Sequence, residues 1–295
     1  MIKIRRLVTQ LPLSWQPYAL HMRLRAFPLV VGHVSVGVLL ASQGTFAPRQ
    51  VAQWILGALL WSGFGHSGTL AFNSAFDRDQ GDIGYLSDPP PVPRYLWLFG
   101  LTLIAVGALG AALLPIQYLL AYLLCTVMSI AYSVPPIRIK AHAGADVLNN
   151  ALGYGALTLY GGWAALGRAF DPTIWTVLAG FFCLAAAAYP LTQVYQYDED
   201  LQRGDRTLVI ALGKKRSLFW SLAFVPLAFS FFLGAARLYH PTPWSWTLLP
   251  AFAAWMWVLV PWVTRIETYP EQTGMYRGLL AWALTDLAVI LSLVL

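Results

Sequence analysis

A group of polar side chains follows an apolar stretch in the first third of the chain. Asn73, Asp77, Asp79 and Asp82 lie in the segment AFNSAFDRDQGD, in a chain that carries few charges elsewhere. If the preceding stretch is helical, Asn73 and Asp77 share one face because they are four residues apart. Carboxylate and amide oxygens gathered at one helix end are suitable ligands for a hard divalent cation.

A second polar group follows a later apolar stretch, about 120 residues after the first group. Gln193, Gln196 and Asp200 have the spacing of one helix face, and Asp198 lies just before the last of them. If the two helix ends approach each other, their carboxylates meet at one mouth of the bundle. Because like charges in a poorly solvated place raise each other's pKa, such a mouth requires a cation.

Mg²⁺ is the cation that this pattern favours, since it is commonly held by one or two carboxylates together with substrate phosphate oxygens. Basic side chains stand near both acidic groups and suit the binding of diphosphate oxygens. They are Arg78, Arg138, Lys140, Arg203 and Arg206. The apolar stretches below would hold a hydrocarbon tail, so that the pattern indicates a lipid diphosphate as the substrate.

The composition is that of a membrane protein. Of 295 residues, 58% are apolar and only 11% are charged, whereas soluble proteins carry about 25% charged residues. Apolar runs of about 20 residues, the length that crosses a hydrocarbon core, recur along the chain. We predict an all-α polytopic membrane protein with one domain over residues 1–295, in which residues 1–24 form an interfacial lead-in. The nine predicted transmembrane spans are 25–45, 51–76, 94–114, 116–133, 146–167, 173–196, 215–236, 243–264 and 275–295.

The charges predict the orientation of these spans. With a cytoplasmic N-terminus, 16 of the 19 Lys and Arg residues fall on the cytoplasmic side, as the positive-inside rule requires. Eight of the 13 acidic residues lie in the loops after the second and sixth spans, on that same side. We therefore expect an integral protein of a bacterial inner membrane, with its site at the cytoplasmic face. Because the basic residues that give the net charge of +6 are explained by topology, we expect no nucleic-acid partner. The expected partner is the lipid bilayer, and no protein partner is inferred.

Two polar or helix-breaking residues stand inside predicted spans. Pro190, in the sixth span, is expected to kink the helix or to free a backbone carbonyl. Asp286, alone in the ninth span, is expected to pair with a neighbouring polar group, because an unpaired carboxylate at that depth is costly.

Three motifs carry a family resemblance. NSAFDRDQGD supplies Asn73 and Asp77, YSVPPIRIKAHAGAD supplies Tyr132, Arg138 and Lys140, and YQYDEDLQRGDRTLVIALGKKRS follows the sixth span. On these motifs the chain resembles the UbiA superfamily of membrane prenyltransferases over essentially its whole length. The resemblance implies a nine-helix bundle with an Asn-Asp-x-x-Asp-x-x-x-Asp motif after the second helix and an Asp-x-x-x-Asp motif after the sixth.

The resemblance also implies Mg²⁺ as the cofactor and a role for each site residue. The implied metal ligands are Asn73, Asp77, Asp79, Asp82, Gln196, Asp198 and Asp200, and the implied catalytic residues are Asn73, Asp77, Tyr132 and Asp200. The implied diphosphate-binding residues are Arg78, Arg138, Lys140, Arg203 and Arg206, and the implied cavity residues are Phe76, Asn150, Tyr189, Gln193 and Gln196. From its position near the start of the first span, we also expect Arg25, or alternatively Arg23, to reach the diphosphate. Ser74, Gly81 and Gln196 stand where the family motifs have Asp, which leaves the number of metal ions open.

Two reactions of the superfamily fit these residues. In the first, the isoprenoid chain of a prenyl diphosphate moves to a hydrophobic acceptor such as an aromatic compound or a quinone precursor. In the second, a terpene cyclase captures the allylic cation with the double bond of the substrate itself, and no acceptor is needed. A secondary transporter is disfavoured, because few ionisable groups lie along the predicted spans.

Overall fold

The described part of the chain is helical. A computed structural model describes residues 8–77, 82–238 and 243–294, and within these ranges it contains no β-strand. The only strand-like pairings there are two isolated bridges, Ile83 with Leu86 and His142 with Arg206. The predicted all-α class is therefore confirmed for these residues, whereas the single domain over the whole chain and the lead-in over residues 1–24 stay predictions.

Long helices joined by short loops make up both halves of the chain. The first half forms helices α1 (Gln16–His21), α2 (Phe27–Ser42), α3 (Pro48–Ala58), α4 (Ser67–Asp77), α5 (Leu96–Ala111), α6 (Ile116–Ser133), α7 (Ala145–Asn150) and α8 (Thr158–Ala165). The second half forms α9 (Pro172–Tyr195), α10 (Tyr197–Arg203), α11 (Leu208–Leu212), α12 (Lys214–Leu238), α13 (Leu248–Thr264) and α14 (Glu271–Leu293). Two π-helical segments, Leu59–His66 and Ala151–Leu157, join α3 to α4 and α7 to α8.

Six helices in the described residues are long and apolar enough to cross a membrane. They are Gln16–Ser42, Ile116–Ser133, Pro172–Tyr195, Lys214–Leu238, Trp244–Thr264 and Glu271–Leu293, and Leu96–Ala111 is a shorter apolar helix. The predicted spans at 51–76 and 146–167 fall on the two helical runs that π-helical segments interrupt. The chain is an integral membrane protein, while the count of nine spans and the cytoplasmic N-terminus stay predictions.

Helix α9 runs without a break through Pro190, and two hydrogen bonds to its backbone support it. Asp171 caps the helix by accepting a hydrogen bond from the Ile174 N–H at 2.9 Å. Because Pro190 has no N–H, the carbonyl of Ala186 four residues earlier loses its helical partner. The indole of Trp220 on α12 donates to that carbonyl at 3.0 Å. The freed carbonyl that the sequence predicts thus holds α9 to α12.

Glycines let α2 and α8 touch along their backbones. A Cβ on Gly162 would lie 1.9 Å from the carbonyl oxygen of Val34, and a Cβ on Gly37 would lie 2.0 Å from that of Leu159. Any side chain at these two positions would force the helices apart. Small residues at helix crossings are the usual means of close packing in membranes, where no hydrophobic effect drives helices together.

A buried polar pair joins three parts of the bundle. Nδ1 of His33 on α2 lies 2.8 Å from Oδ1 of Asp286 on α14, and Nε2 donates to the carbonyl of Gly155 at 2.9 Å. The expected partner of Asp286 is therefore His33. These two contacts join α2, the second π-helical segment and α14, and they leave neither ionisable group without a partner.

Candidate active site

Two distant loops meet at one end of the bundle through Arg138. Its Nε and Nη2 donate to the two carboxylate oxygens of Asp205 at 3.0 and 3.1 Å, and Nη2 lies 3.5 Å from Oδ1 of Asp77. Asp77 ends α4, while Asp205 follows α10. Planar two-point pairing of a guanidinium with a carboxylate fixes orientation as well as distance. The ends of the helices that carry the two acidic motifs are therefore neighbours.

Lys140 lies beside the same helix end. Its ammonium group forms an ion pair with Asp77 and donates to Oδ1 of Asn73 at 3.2 Å. The Ser133 hydroxyl also donates to that amide oxygen, at 3.0 Å. Burial lowers the pKa of Lys140 to about 7, and the nearby charge of Arg203 acts in the same direction. Lys140 therefore contacts both polar side chains at the end of α4, Asn73 and Asp77.

Arg203 connects the two carboxylates of the second motif region. Its Nη2 donates to Asp200 at 2.5 Å, and its Nε donates to Asp205 at 2.7 Å. Burial raises the pKa of Asp200 to about 6, although the charge of Arg203 acts to lower it. The six groups of this acid–base cluster are Asp77, Arg138, Lys140, Asp200, Arg203 and Asp205.

Local backbone geometry places these side chains. Arg138 has a φ of 34°, in the left-handed region, and turns the chain into the 3-10 turn Ile139–Ala141 that carries Lys140. Gly204, with a φ of 80°, ends α10 in the same region, where glycine is unstrained. The Arg206 N–H then donates to the Ala141 carbonyl at 3.1 Å. This backbone bond holds the two loops side by side.

Asp146 organises the site from below, although sequence reasoning gave it no role of its own. Its carboxylate is fully buried and accepts from the backbone N–H of Val147 at 2.8 Å, from Nε2 of Gln193 at 2.5 Å and from the N–H of Leu208 at 2.7 Å. It thereby joins α7, α9 and α11. The position of an acid in the first turn of a helix, directly after a glycine and an alanine, is the signal that marks it.

A cavity of about 310 Å³ opens below the cluster. Five of the predicted site residues line it, namely Asn73, Tyr132, Asn150, Tyr189 and Gln196. The hydroxyls of Tyr132 and Tyr189 are hydrogen-bonded to each other across it. Deeper in the bundle, Trp61, Tyr122, Tyr154 and Trp282 line the same cavity. The arrangement is a chamber with several aromatic side chains in its wall and polar groups at its upper end.

Several predicted residues lie away from the cavity lining. Phe76 packs against Phe72 with ring centroids 4.9 Å apart, and Gln193 points to Asp146. Asp82 accepts a hydrogen bond from the Asp88 N–H at 2.9 Å, while Asp198 and the Arg206 side chain are exposed. The predictions for Arg78 and Asp79 lie outside the described residues.

Of the two arginines near the start of the first predicted span, Arg23 lines the cavity and Arg25 does not. Arg23 is buried, lines the cavity and donates from Nη2 to the Ser74 hydroxyl at 2.9 Å. Arg25 is half-buried in the 3-10 turn Leu24–Ala26 and does not line the cavity. The feature that distinguishes Arg23 is its backbone conformation. Its φ of 49° is strained for a residue other than glycine, and strained residues are common at functional sites.

The donor set of the cluster suits a hard cation. Within the ranges that the structure describes, no three His, Cys, Asp or Glu residues are grouped closely enough to hold a metal by themselves. Asp77 and Asp200 nevertheless offer carboxylate oxygens, and Asn73 offers its amide oxygen. Two carboxylates completed by substrate oxygens and water are a common Mg²⁺ site. The residues present therefore fit a metal that is bound together with an anionic substrate.

Solved structures share this fold. A UbiA homologue from Aeropyrum pernix K1 superposes with a TM-score of 0.70 at 19% identity, covering 90% of this chain and 98% of that one. A UbiA homologue from Archaeoglobus fulgidus, bound to DMAPP and Mg²⁺, superposes with a TM-score of 0.65 at 20% identity, covering 92% of this chain and 98% of that one.

A protein from Natronomonas pharaonis, digeranylgeranylglyceryl phosphate synthase, is 29% identical over 204 residues, which are 67% of this chain and 69% of that protein. The model of the UbiA prenyltransferase family matches residues 30–284. The resemblance that the motifs indicated is therefore confirmed, and the chain belongs to the UbiA prenyltransferase family.

Proposed function

We propose that this protein ionises a prenyl diphosphate at the acid–base cluster and transfers the isoprenoid chain to a lipophilic acceptor in the cavity. The observation that carries the proposal is the contact of Arg138 with both Asp77 and Asp205, directly above an aromatic chamber. A diphosphate at the cluster would direct its hydrocarbon chain into that chamber. The positive-inside bias of the loops supports a location of this mouth at the cytoplasmic face of the membrane.

The charges of the cluster explain why a metal is needed. Arg138, Lys140 and Arg203 are matched by Asp77, Asp200 and Asp205, so that their formal charges cancel. A diphosphate adds negative charge that these side chains alone do not balance. Mg²⁺ is the proposed cofactor, and Asn73, Asp77 and Asp200 are the side chains that would hold it. When bound, it would neutralise charge on the leaving diphosphate.

The basic side chains of the cluster bind the diphosphate and stabilise it as it leaves. Arg138 offers a planar pair of N–H donors, and Lys140 and Arg203 lie beside it. Fixed donors that face a group on which charge develops are among the largest contributions to catalysis. In the chamber, the hydrogen-bonded Tyr132 and Tyr189 present their rings to the first carbons of the chain. Each such aromatic face stabilises a desolvated cation by about 1–2 kcal/mol.

One assay distinguishes transfer to an acceptor from cyclisation without one. The purified protein is incubated with geranyl, farnesyl or geranylgeranyl diphosphate and Mg²⁺, first alone and then with a 4-hydroxybenzoate-type phenol or a singly alkylated glyceryl phosphate. The proposal predicts a prenylated product and diphosphate release that depend on the acceptor and are lost with EDTA. A hydrocarbon or terpene alcohol formed without acceptor supports the cyclase instead.

Variants connect that assay to the site. Asp77→Asn and Asp200→Asn are each expected to reduce turnover by at least about 100-fold while the protein stays folded, because each change removes a charged oxygen ligand. Exposed Asp88→Asn makes the same change outside the predicted site, is the matched control and is expected to keep wild-type turnover. No diphosphate release under any of these conditions would overturn the proposed function.

A further inference from the structure

We propose that His66 is the base that takes up the proton lost by the acceptor during prenyl transfer. This inference rests on the proposed function, since it assumes an acceptor whose attacking atom carries hydrogen. His66 ends the π-helical segment Leu59–His66 and lines the cavity. Single π-helical turns within α-helices occur frequently at functional sites.

The composition of the cavity wall singles out His66. Among the described residues that line the cavity, none is Asp or Glu, and His66 is the only histidine. Its ring has no hydrogen-bond partner within the described ranges, in contrast to the ring of His33, which is held at both nitrogens. The ring of Tyr154 lies beside the ring of His66, with ring centroids 6.0 Å apart. An imidazole in an aromatic chamber with a nitrogen left for a ligand is suited to accept a proton.

The depth of His66 matches the place of the reaction. It precedes Asn73 by seven residues, which is about 10 Å of helix rise, and it precedes Asp77 by about 17 Å. A diphosphate held at Asn73 and Lys140 places the first carbon of its chain between the cluster and His66. An acceptor that attacks that carbon from inside the chamber therefore meets His66 before it meets any carboxylate of the cluster.

The reaction breaks one bond and forms another at the first carbon of the isoprenoid chain. The bond between the first carbon of the chain and the diphosphate oxygen breaks, and its electron pair leaves with the diphosphate. The attacking atom of the acceptor forms a new bond to that carbon and loses its proton to a ring nitrogen of His66. The imidazolium returns the proton to water when the products leave. No oxidant or reductant takes part.

Other titratable or charged groups face the same cavity and would compete for the proton. They are Arg23, Tyr85, Tyr122, Cys125, Tyr132, Tyr154 and Tyr189. A guanidinium is already protonated and has no free lone pair to accept another proton, and neutral phenols and a neutral thiol are far weaker bases than an imidazole. Arg23 also disfavours a second positive charge nearby, which helps His66 to start the cycle as a neutral base.

The test compares His66→Asn and His66→Gln with wild type, using the acceptor of the panel above that wild type prenylates. Loss of a general base predicts a fall in the transfer rate of about 100- to 10,000-fold. It also predicts that the decrease of kcat toward low pH disappears and that added imidazole restores part of the rate. Binding of a prenyl thiodiphosphate with Mg²⁺ is expected to stay within about threefold of wild type, which shows that both variants are folded and that the cluster is intact.

His21→Asn is the matched control, because it makes the same change at a buried histidine that does not line the cavity. It is expected to keep the pH profile of wild type and to show no imidazole effect. If wild type transfers the chain while both His66 variants keep its rate and pH profile, the inference is overturned and the proposed function stands. If wild type gives no acceptor product, the proposed function is overturned, and the inference with it.

Discussion

Arg138 binds the carboxylate of Asp205 at two points, with N–H···O distances of 3.0 and 3.1 Å. The pair joins the loop after α6 to the loop after α10, although the two residues are 67 positions apart in sequence. Because Nη2 of Arg138 also reaches Asp77, one side chain sets the relative positions of three helix ends. Removal of either partner of the pair is therefore expected to affect the mouth as a whole.

Asp205→Asn is expected to lower the stability of the protein in a pH-dependent way. Burial acts to raise the pKa of Asp205, but hydrogen bonds from Arg138 and Arg203 hold it below its ordinary value of 3.8. The folded carboxyl thus stays ionised where the unfolded one takes up a proton. Its stabilisation is present above pH 3.8 and is lost as the pH falls through the lower folded-state pKa.

Thermal unfolding in detergent checks this. At neutral pH the Asn variant is expected to lose about 2 kcal/mol, the size of hydrogen bonds to a charged group. The difference from wild type should shrink as the pH falls below 3.8. A difference of constant size over that whole range would contradict the assignment.

Lys140→Met is expected to weaken the binding of a prenyl thiodiphosphate by about tenfold, since a charged hydrogen bond contributes about 1.5 kcal/mol. The fold should change less than the affinity, because Arg138 still lies beside Asp77. Isothermal titration and a thermal midpoint measured on the same sample give both quantities. An unchanged affinity together with a lowered midpoint would assign Lys140 a structural role only.

The His33–Asp286 pair predicts a non-additive effect on stability. His33→Leu or Asp286→Leu alone leaves one buried polar group without its partner, which typically costs about 3–5 kcal/mol. The double variant removes both groups and is expected to be more stable than either single variant. Thermal midpoints of the four proteins in detergent provide the comparison. Simple addition of the two single effects would show that the groups do not act as a pair.

Gly162→Ala is expected to lower stability by about 1–3 kcal/mol, because the new Cβ would lie 1.9 Å from the Val34 carbonyl oxygen. Gly32→Ala on α2 is the matched control, since a Cβ at Gly32 meets no atom within 4 Å. That change should be neutral or stabilise the helix by up to about 1 kcal/mol. Equal thermal midpoints for the two variants would contradict the close crossing of α2 and α8.

Much of the fold and of the mouth follows from the sequence. Apolar runs locate the helices, since only a helix satisfies its backbone in lipid. Polar groups after α4 and α9 indicate a shared mouth, and Arg138 and Lys140 lie there as the motif predicted. The freed carbonyl at Pro190 and a partner for Asp286 were likewise predictable, because each follows from a group that cannot stay unpaired in an apolar interior.

What the sequence leaves open depends on side-chain direction. Arg23 and Arg25 are the same residue type and lie two positions apart, so that the sequence does not distinguish them. Only Arg23, whose backbone is in the left-handed region, lines the cavity. Gln193 and Gln196 share a helix face by spacing, yet the buried carboxylate of Asp146 binds the first and leaves the second at the cavity. Such choices are made by partners that are distant in sequence.

The most direct test of a shared mouth is a double-mutant cycle on Asp77 and Asp200. Affinity for a prenyl thiodiphosphate with saturating Mg²⁺ is measured for wild type, Asp77→Asn, Asp200→Asn and the double variant. If both carboxylates hold the same metal and diphosphate, each single change weakens binding and the double change falls short of their sum by at least about 1 kcal/mol. Strictly additive effects, or an effect at only one of the two positions, would contradict the account.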